Sequence, residues 1–333
     1  MFVRIPLTLR YRPPRWTGGA LPVLLTLFVA FACSDSTGPS GPVNRPIGPF
    51  PADLTGSVAI VISGVVTTSG RAYTKSEVHV INVADSEDRI IYEGENVYVQ
   101  GLTWAPDNSR IVVNIYRPQE PGPNGENRDI LIMHSMNLFG TEERVIFDGL
   151  GPEGHPAYSA GGRLAYFAGW SDAPATGIYV DGRPMHHMQW WDAGSYLSWS
   201  PDGTVLVYTG PSRDGLNKLT LSDGNLTQLL HVEEGEDIWQ PAYSPDGLRI
   251  ALVRFGGDPP VEEIWTVTAD GSDPFQVTPG SSPVWTPGGT YLAFVRYGSQ
   301  GGVYMIPPAG GTAVRVVGAA AERGYVSALA WSW

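Results

Sequence analysis

Two stretches of the sequence decide the fold: LSWSPDGTVLVY at residues 197–208 and PAYSPDGLRIALV at residues 241–253. Each contains an aromatic residue, a Ser-Pro-Asp-Gly turn and a run of branched apolar residues. Related copies lie around four further aromatic residues, Trp104, Tyr158, Trp285 and Trp331. Successive aromatic residues are 54, 41, 44, 42 and 46 residues apart, which is the length of four short strands with their turns. The repeat predicts an all-β fold, a six-bladed β-propeller.

The turn residues predict antiparallel strands within each repeat. Pro201 has the fixed φ that a type I turn needs, and Gly203 allows the positive φ that closes a hairpin. Asn108 stands at the glycine position of an earlier copy, and Asn enters the left-handed region more readily than most residues. A second hairpin follows each apolar run, such as EEIWTVTADGSDPFQVT at residues 262–278. Each repeat is therefore expected to form a four-stranded antiparallel blade.

The two ends of the repeat array complement each other. The last copy stops at Trp333, where its turn and second strand should begin. Val58–Val61 has the character of such a second strand, but no aromatic-turn unit precedes it. We therefore predict that the C-terminal strand pairs with the N-terminal strand in one blade, which closes the ring and removes two exposed sheet edges. The propeller is expected to span residues 56–333.

These repeats resemble the TolB-like branch of the WD40-like propellers. The resemblance covers about residues 56–333, and the SPDG copies at 200–203 and 244–247 are its most specific part. TolB carries a separate α/β domain before its propeller, and the 23 residues from Cys33 to Thr55 cannot hold one. The resemblance therefore implies the fold and not the role of TolB.

The N-terminal region has the features of an export signal. Arginines precede an apolar run, Leu21–Ala32, which is too short to span a bilayer comfortably. Cys33 follows directly and resembles the lipidated cysteine of the bacterial lipobox. We predict a signal peptide over residues 1–32, and a lipidated Cys33 followed by a flexible Ser-, Gly- and Pro-rich linker to residue 55. Such a protein would be anchored by lipid in the bacterial envelope, at the periplasmic face or the outer membrane.

Charge and cysteine content limit the partners. Removal of residues 1–32 takes away four of 21 basic residues, so 17 basic residues face 33 acidic ones, a formal charge of −16. This charge argues against nucleic acid as a partner, and it leaves the lipid anchor as the only expected membrane contact. With one cysteine in the chain, the protein forms no internal disulfide. We expect a monomer.

No residue pattern points to catalysis, a metal or a cofactor. Propeller peptidases of the prolyl oligopeptidase type need a Gly-x-Ser-x-Gly elbow and a hydrolase domain, and the sequence contains neither. His186 and His187 are adjacent, but successive strand residues point to opposite faces and would not share one ion. We therefore predict no catalytic residue, no metal ligand and no cofactor.

Candidate binding residues cluster on one face. In an up-and-down blade, the loops between the second and third strands lie on the face opposite the SPDG turns, together with the blade-to-blade connections. Variable loops on a repeated scaffold are the usual place for binding. The predicted site comprises Arg117, Arg213, Arg254 and Arg296 near second-strand ends, with His155, Tyr196, Trp239 and Gln240 on the connections. These groups suit a sugar, a peptide or a carboxylate-bearing ligand.

Two alternatives remain open at this point. The arginines can instead pair with acids of neighbouring blades, such as Asp214 and Asp258, while the aromatic residues pack between blades.

The leading hypothesis is a tethered propeller that binds a protein or an envelope polymer without catalysis. The partner would carry an anionic group. The rival is a lyase or hydrolase that acts on a sugar or peptide at the channel mouth. Clustered titratable residues with perturbed pKa values would favour the rival.

Overall fold

Strands form every regular element of the computed structural model in the part of the chain that it describes. That part comprises residues 47–68, 71–121, 127–149, 154–168, 176–188, 196–209, 213–318 and 324–332. It belongs to one unit, Gly41–Trp333. No helix in these ranges is long and apolar enough to cross a membrane. The predicted signal peptide and Cys33 lie outside the described residues.

Within the described ranges, twenty-four strands form six four-stranded antiparallel sheets, as predicted. Blade 1 holds β1 (Ser57–Thr68), β2 (Arg71–Asn82), β3 (Asp88–Glu95) and β24 (Tyr325–Trp331). Blade 2 holds β4 (Tyr98–Trp104), β5 (Arg110–Pro121), β6 (Asn127–Asn137) and β7 (Arg144–Gly149). Blade 3 holds β8 (Ala157–Tyr158), β9 (Leu164–Ala168), β10 (Gly177–Val180) and β11 (Arg183–His187).

The other three blades repeat this plan. Blade 4 holds β12 (Leu197–Trp199), β13 (Val205–Thr209), β14 (Gly215–Thr220) and β15 (Leu226–His231). Blade 5 holds β16 (Asp237–Tyr243), β17 (Arg249–Gly256), β18 (Val261–Thr268) and β19 (Phe275–Pro279). Blade 6 holds β20 (Ser281–Trp285), β21 (Leu292–Arg296), β22 (Gly302–Ile306) and β23 (Val314–Gly318).

Blade 1 confirms the predicted ring closure. Its strand order is β24-β1-β2-β3, so the C-terminal strand is innermost and pairs antiparallel with β1. Trp331 lies opposite Val58, and the pairing runs to Tyr325 opposite Ser63. The Ser332 Oγ accepts a hydrogen bond from the Ser57 amide at 2.8 Å. The two ends of the domain therefore form one sheet.

The apolar second strands are buried on both faces because each blade lies between two others. Along β17, Ile250 and Leu252 pack with blade 4 residues such as Val207. The alternate residue Ala251 packs with Phe294 of blade 6. Since strand residues alternate between faces, a continuous apolar run serves both neighbours. The outermost strands, such as β15, are largely exposed.

The SPDG turns are stabilised by their own serine and aspartate. The Ser200 Oγ donates a hydrogen bond to Asp202 at 2.6 Å and accepts one from the Val205 amide at 3.0 Å. Gly203 has a φ of 68°, and Asn108 takes the equivalent place with a φ of 56°. The prediction for Asn108 is confirmed.

The signature tryptophans join neighbouring blades. The indole Nε1 of Trp199 donates a hydrogen bond to the Ala157 carbonyl of blade 3 at 2.9 Å. Trp285 makes the same bond to Ala242 of blade 5 at 3.0 Å. Each bond satisfies the one polar group of a mostly buried ring, which explains why an aromatic residue recurs at this place.

The predicted linker does not extend as a separate segment up to residue 55. Ile47 forms a β-bridge with Val317, and the Gly48 amide donates a hydrogen bond to the Val316 carbonyl at 2.8 Å. Phe50 packs edge-on against Trp331, with ring centroids 6.1 Å apart. The described residues before Thr55 therefore pack on the propeller, because their apolar side chains cover blade 6 and blade 1.

A half-buried acid in blade 1, Glu77, predicts a pH dependence of stability. Hydrogen bonds from His79 and then Lys75 hold the pKa of Glu77 at about 2, against the opposing effect of burial. A lowered pKa gives stability that is present above the ordinary value near 4.5 and is lost as the pH falls toward 2. We expect Glu77→Gln to remove about 2 kcal/mol of this pH dependence in urea unfolding between pH 4.5 and 2. An unchanged slope for the variant would contradict the assignment.

Candidate binding site at one end of the propeller

The innermost strands all begin at the face opposite the SPDG turns. Every blade repeats the same up-and-down order, so the connections that enter β24, β4, β8, β12, β16 and β20 converge on one face. We call the residues at these strand starts, together with the neighbouring second-strand ends, the mouth. Of the predicted long loops on this face, residues 122–126, 169–175 and 210–212 lie outside the described residues.

Four of the predicted site residues form two contacting pairs at the mouth, and each pair joins neighbouring blades. The ring of His155, which precedes β8, stacks on Tyr196, which precedes β12, with centroids 4.1 Å apart. The Arg213 guanidinium lies over the Trp239 ring of β16 at 5.4 Å. These contacts join blades 3, 4 and 5.

Gln240 joins blade 5 to blade 6. Its side-chain Oε1 accepts hydrogen bonds from the Ser282 amide at 2.7 Å and the Ser281 Oγ at 3.2 Å. Its Nε2 donates to the Ser282 Oγ at 3.1 Å. Gln240 and Ser282 both have a positive φ, 53° for each, and this backbone turns the amide toward the neighbouring blade. Gln240 therefore fixes two blades in position at the mouth.

The remaining blade junctions complete the ring of contacts. Tyr297 at the end of β21 packs edge-on against Tyr325 of blade 1, with centroids 6.1 Å apart. The Tyr98 hydroxyl lies 3.2 Å from the Thr74 hydroxyl of β2. Gly101 lies so close to His155 that a Cβ atom there would meet the Nδ1 at 2.7 Å. Each of the six junctions thus has a contact at this face.

Sequence reasoning missed Tyr98, Tyr297 and Glu262. Tyr98 and Tyr325 both stand six residues before a signature tryptophan, and this shared offset is a signal that could have found Tyr98. Tyr297 follows β21, the second strand of blade 6, and Glu262 lies on β18, the third strand of blade 5. No repeat motif marks either residue. Tyr297 and Glu262 lie near each other because blades 5 and 6 are neighbours in the ring.

Burial perturbs the pKa values of several mouth residues. Desolvation, with the nearby Arg213 charge, lowers the pKa of His155 to about 4. Its imidazole is therefore neutral at pH 7. Burial raises the pKa of Glu262, and burial together with the Glu262 charge raises the pKa of Tyr297. Ser281 lies beside both of these groups. The mouth is thus a partly desolvated polar cluster.

The four arginines do not converge as the sequence led us to expect. Arg254 binds both carboxylate oxygens of Glu236 at 2.6 Å and lies over the Trp265 ring. Arg296 donates to the Thr278 hydroxyl at 2.8 Å and to the Pro279 carbonyl at 3.2 Å. Arg296 therefore reaches the outermost strand of blade 5 and holds two blades together, whereas Arg254 binds the connection that leads from blade 4 into its own blade.

The other two predicted arginines, Arg117 and Arg213, have different surroundings. Arg117 of β5 interacts with Tyr92 of β3 in the preceding blade, so it resembles Arg296 in its role. Arg213 differs, since it is exposed and lies over a mouth residue. The predicted alternative of ion pairs applies to Arg254, although its partner is Glu236 and not Asp258. Of the four, Arg213 is the arginine that lies with the other predicted site residues.

The described residues offer no clear metal centre. Among them, no group of three or more His, Cys, Asp or Glu side chains is placed to hold an ion. His186 and His187 follow each other on β11, opposite Ile178 and Gly177 of β10, so their side chains alternate between the two faces of the sheet.

Fold and site together define the class of protein: a six-bladed β-propeller with a polar and aromatic mouth. The chain matches no protein-family model, and a search of curated proteins gave no match. Solved structures are similar. TolB from Acinetobacter baumannii aligns with a TM-score of 0.66 at 18% identity, over 85% of this chain and 68% of that one.

Two further structures give the same fold. TolB from Agrobacterium tumefaciens aligns with a TM-score of 0.55 at 17% identity, over 83% of this chain and 98% of that one. A propeller from a nidogen/laminin complex aligns with a TM-score of 0.56 at 10% identity, over 83% and 98%. At these identities the likeness concerns the fold. The chain folds as a TolB-like six-bladed propeller.

Proposed function

We propose that this protein is an exported, lipid-anchored propeller that holds a protein or envelope polymer at its mouth without catalysis. The observation that carries the proposal is the mouth itself, where partly exposed tyrosines and polar groups from all six blades lie together. Such an arrangement, with a few polar groups among aromatic rings, is typical of ligand sites.

The location rests on the N-terminal sequence. The apolar segment before Cys33 would direct export, and a lipid on Cys33 would tether the propeller in the bacterial envelope. The acidic character of the mature chain, with 33 acidic residues, favours a partner other than nucleic acid. The similarity to TolB and to a propeller from a nidogen/laminin complex is consistent with a protein partner.

The rival function is a lyase or hydrolase at the mouth that acts on a sugar or peptide. The observation in its favour is the set of mouth residues with perturbed pKa values, the kind of cluster that often marks an active site. Among them, the neutral imidazole of His155 can accept a proton at pH 7. Its ring, however, is stacked on Tyr196, and the lowered pKa makes it a weak base. Turnover of an envelope sugar or peptide that is lost in His155→Gln would establish the rival function.

The proposed function predicts a different effect for each of two arginines. Arg213→Ala should weaken capture of the partner from envelope extracts at least tenfold and lower the melting temperature by only about 2 °C or less, because this guanidinium is exposed and its contact with Trp239 contributes little stability. Arg213→Lys should restore only part of the binding if the partner presents a planar anionic group. Capture by immobilised protein and thermal melting are the measurements.

Arg254→Ala is the matched control. Its guanidinium pairs with Glu236 between blades, so we expect its loss to lower the melting temperature by several degrees and to leave capture intact. Capture that is lost in Arg254→Ala while Arg213→Ala behaves like the wild type would overturn the placement of the site.

A further inference from the structure

The second and third strands of blades 1 and 2 project beyond their innermost strands at the mouth. β24 pairs with β1 only as far as Ser63, but β1 and β2 continue to pair through residues 64–68 and 71–75. In blade 2 the innermost strand begins opposite Tyr116, and β5 continues over residues 117–121. In blades 4, 5 and 6 the second strand ends one residue after this point. At about 3.3 Å per residue, each projection is about 17 Å long.

In the described ranges, no strand lies beside the inner edge of the blade 1 projection. The Thr74 carbonyl of β2 accepts a hydrogen bond from the Asn96 amide on its outer side. Thr74 is directly opposite Val65, so this pair is not hydrogen-bonded across the hairpin, and the Val65 N–H and C=O point away from β2. The backbone of Thr67, two residues further, has the same orientation. These groups continue the edge that β24 covers as far as Ser63.

Residues 64–68 lack the features that normally protect a sheet edge. Their sequence, GVVTT, contains four β-branched residues, which favour strands, and neither a charge nor a proline. Val65 is 61% exposed, and the register of β1 with β2 is regular over its whole length. The ammonium of Lys75 on the neighbouring strand is held by Glu77 and Glu93 at 2.8 and 2.9 Å. This lysine is therefore directed to the outer strands and does not cover the inner edge.

Other edges of the propeller do have these features. The projection of blade 2, RPQEP at residues 117–121, contains two prolines, two charged residues and a register shift. Each outermost strand pairs with its third strand through a register shift as well, and such bulges turn an edge away from other chains. An exposed, regular and uncharged edge is an aggregation hazard for a protein that does not use it. The edge at residues 64–68 therefore indicates a strand partner.

We propose that the inner edge of β1 over residues 64–68 binds an extended segment of a protein partner as an added strand, antiparallel to β1 and in line with β24. The inference rests on the proposed function and selects a protein from the partners considered there. The N–H and C=O groups of an edge pair with the backbone of another extended chain, which a sugar polymer does not offer. The excess of acidic residues, 33 against 21 basic ones, favours a segment with basic residues at its ends.

Two blocked heptapeptides test the proposal: Lys-Val-Thr-Val-Thr-Val-Lys, and the same peptide with proline in place of both threonines. The threonine peptide should bind the full chain at least about tenfold tighter, because proline lacks the N–H that a strand ladder needs. In hydrogen exchange followed by mass spectrometry, it should slow amide exchange within residues 64–68 at least about tenfold. Titration by fluorescence anisotropy of labelled peptides measures the affinities.

Three results would overturn the assignment. The first is equal binding of the two peptides, and the second is protection confined to an outermost strand such as β15. The third is protection of residues 64–68 that rises with protein concentration in the absence of peptide, since a second copy of the chain would then occupy the edge.

Substitutions of one exposed valine locate the site. Val65→Lys places a charge on the edge and should weaken the threonine peptide at least about tenfold, whereas Val65→Thr keeps a β-branched residue and should bind as the wild type does. Val145→Lys is the matched control, since Val145 is a 56% exposed valine on the outermost strand β7 and the added charge is the same. If the two lysine variants bind the peptide equally well, the proposal fails.

A proline variant tests the backbone contact itself. Val65→Pro removes an N–H that points away from β2, so the hairpin should remain paired while peptide binding falls at least about tenfold. Unchanged peptide binding by a Val65→Pro protein that melts like the wild type would exclude pairing at this edge.

Failure of this inference is distinguishable from failure of the proposed function. If the threonine peptide gives no protection at residues 64–68 but capture of the envelope partner still depends on Arg213, the strand site is wrong and the binding function stands. If the peptide protects residues 64–68 and capture is the same for the wild type and Arg213→Ala, the strand site is supported and the placement of the partner at Arg213 is wrong.

Discussion

A protein that lacks residues 328–333 is expected to aggregate, or to melt more than about 20 °C below the full chain. The deletion removes most of β24, the innermost strand of blade 1, so β1 loses its antiparallel partner. It also takes away the Ala330 carbonyl that accepts a hydrogen bond from the Trp104 indole. Both the closure of the ring and the junction with blade 2 depend on these few residues.

A single substitution tests the same closure with less disruption. Trp331→Ala should cost about 3–5 kcal/mol, because the ring is 8% exposed and packs against Phe50. This cost corresponds to a fall in melting temperature of about 10 °C. Leu248→Ala is the control, since Leu248 is 67% exposed at a turn. A Trp331→Ala protein that melts with the Leu248→Ala protein would show that the closure contributes little stability.

Cys33→Ser is expected to move the protein from the membrane fraction to the soluble fraction almost completely. If lipid on this cysteine is the only anchor, its loss leaves an acidic domain without affinity for anionic membrane surfaces. Fractionation of cells followed by immunodetection measures the distribution.

Ser40→Ala, a change in the same Ser-, Gly- and Pro-rich segment, is the control and should stay with the membrane. A Cys33→Ser protein that remains in the membrane fraction after a high-salt wash would exclude a lipid anchor at Cys33. The wash is needed because it removes proteins held by charge alone.

The fold could be predicted from the sequence because its repeat carries redundant information. The turn around Ser200 and the apolar run at Ile250 each specify local structure, and their recurrence specifies the ring. The partnership of Val58 with Trp331 followed from counting strands at both ends of the chain. No single local signal would have paired residues so far apart.

The site could be predicted only in part, because the sequence of a single repeat does not specify its contacts with neighbouring blades. His155, Tyr196 and Gln240 share an offset from the signature aromatic residue, and they lie at the mouth. Arg254 was expected to take part in ligand binding, but its guanidinium pairs with Glu236. Since strand residues alternate between faces, Arg254 shares the face of Ile250 and Leu252, which is toward blade 4. That periodicity already implied a role between blades.

The pairing of β24 with β1 also determines when folding can finish. Of the strands, β1 is synthesised first and β24 last, so blade 1 lacks its innermost strand until residues 325–331 have emerged. Contacts between residues this distant in sequence form slowly, since a long loop must close before they contribute. Until then β1 presents an open edge to other nascent strands. In the growing chain, β1 is therefore the strand most open to wrong pairing. Pairing with β24 covers its edge as far as Ser63 and ends this risk there.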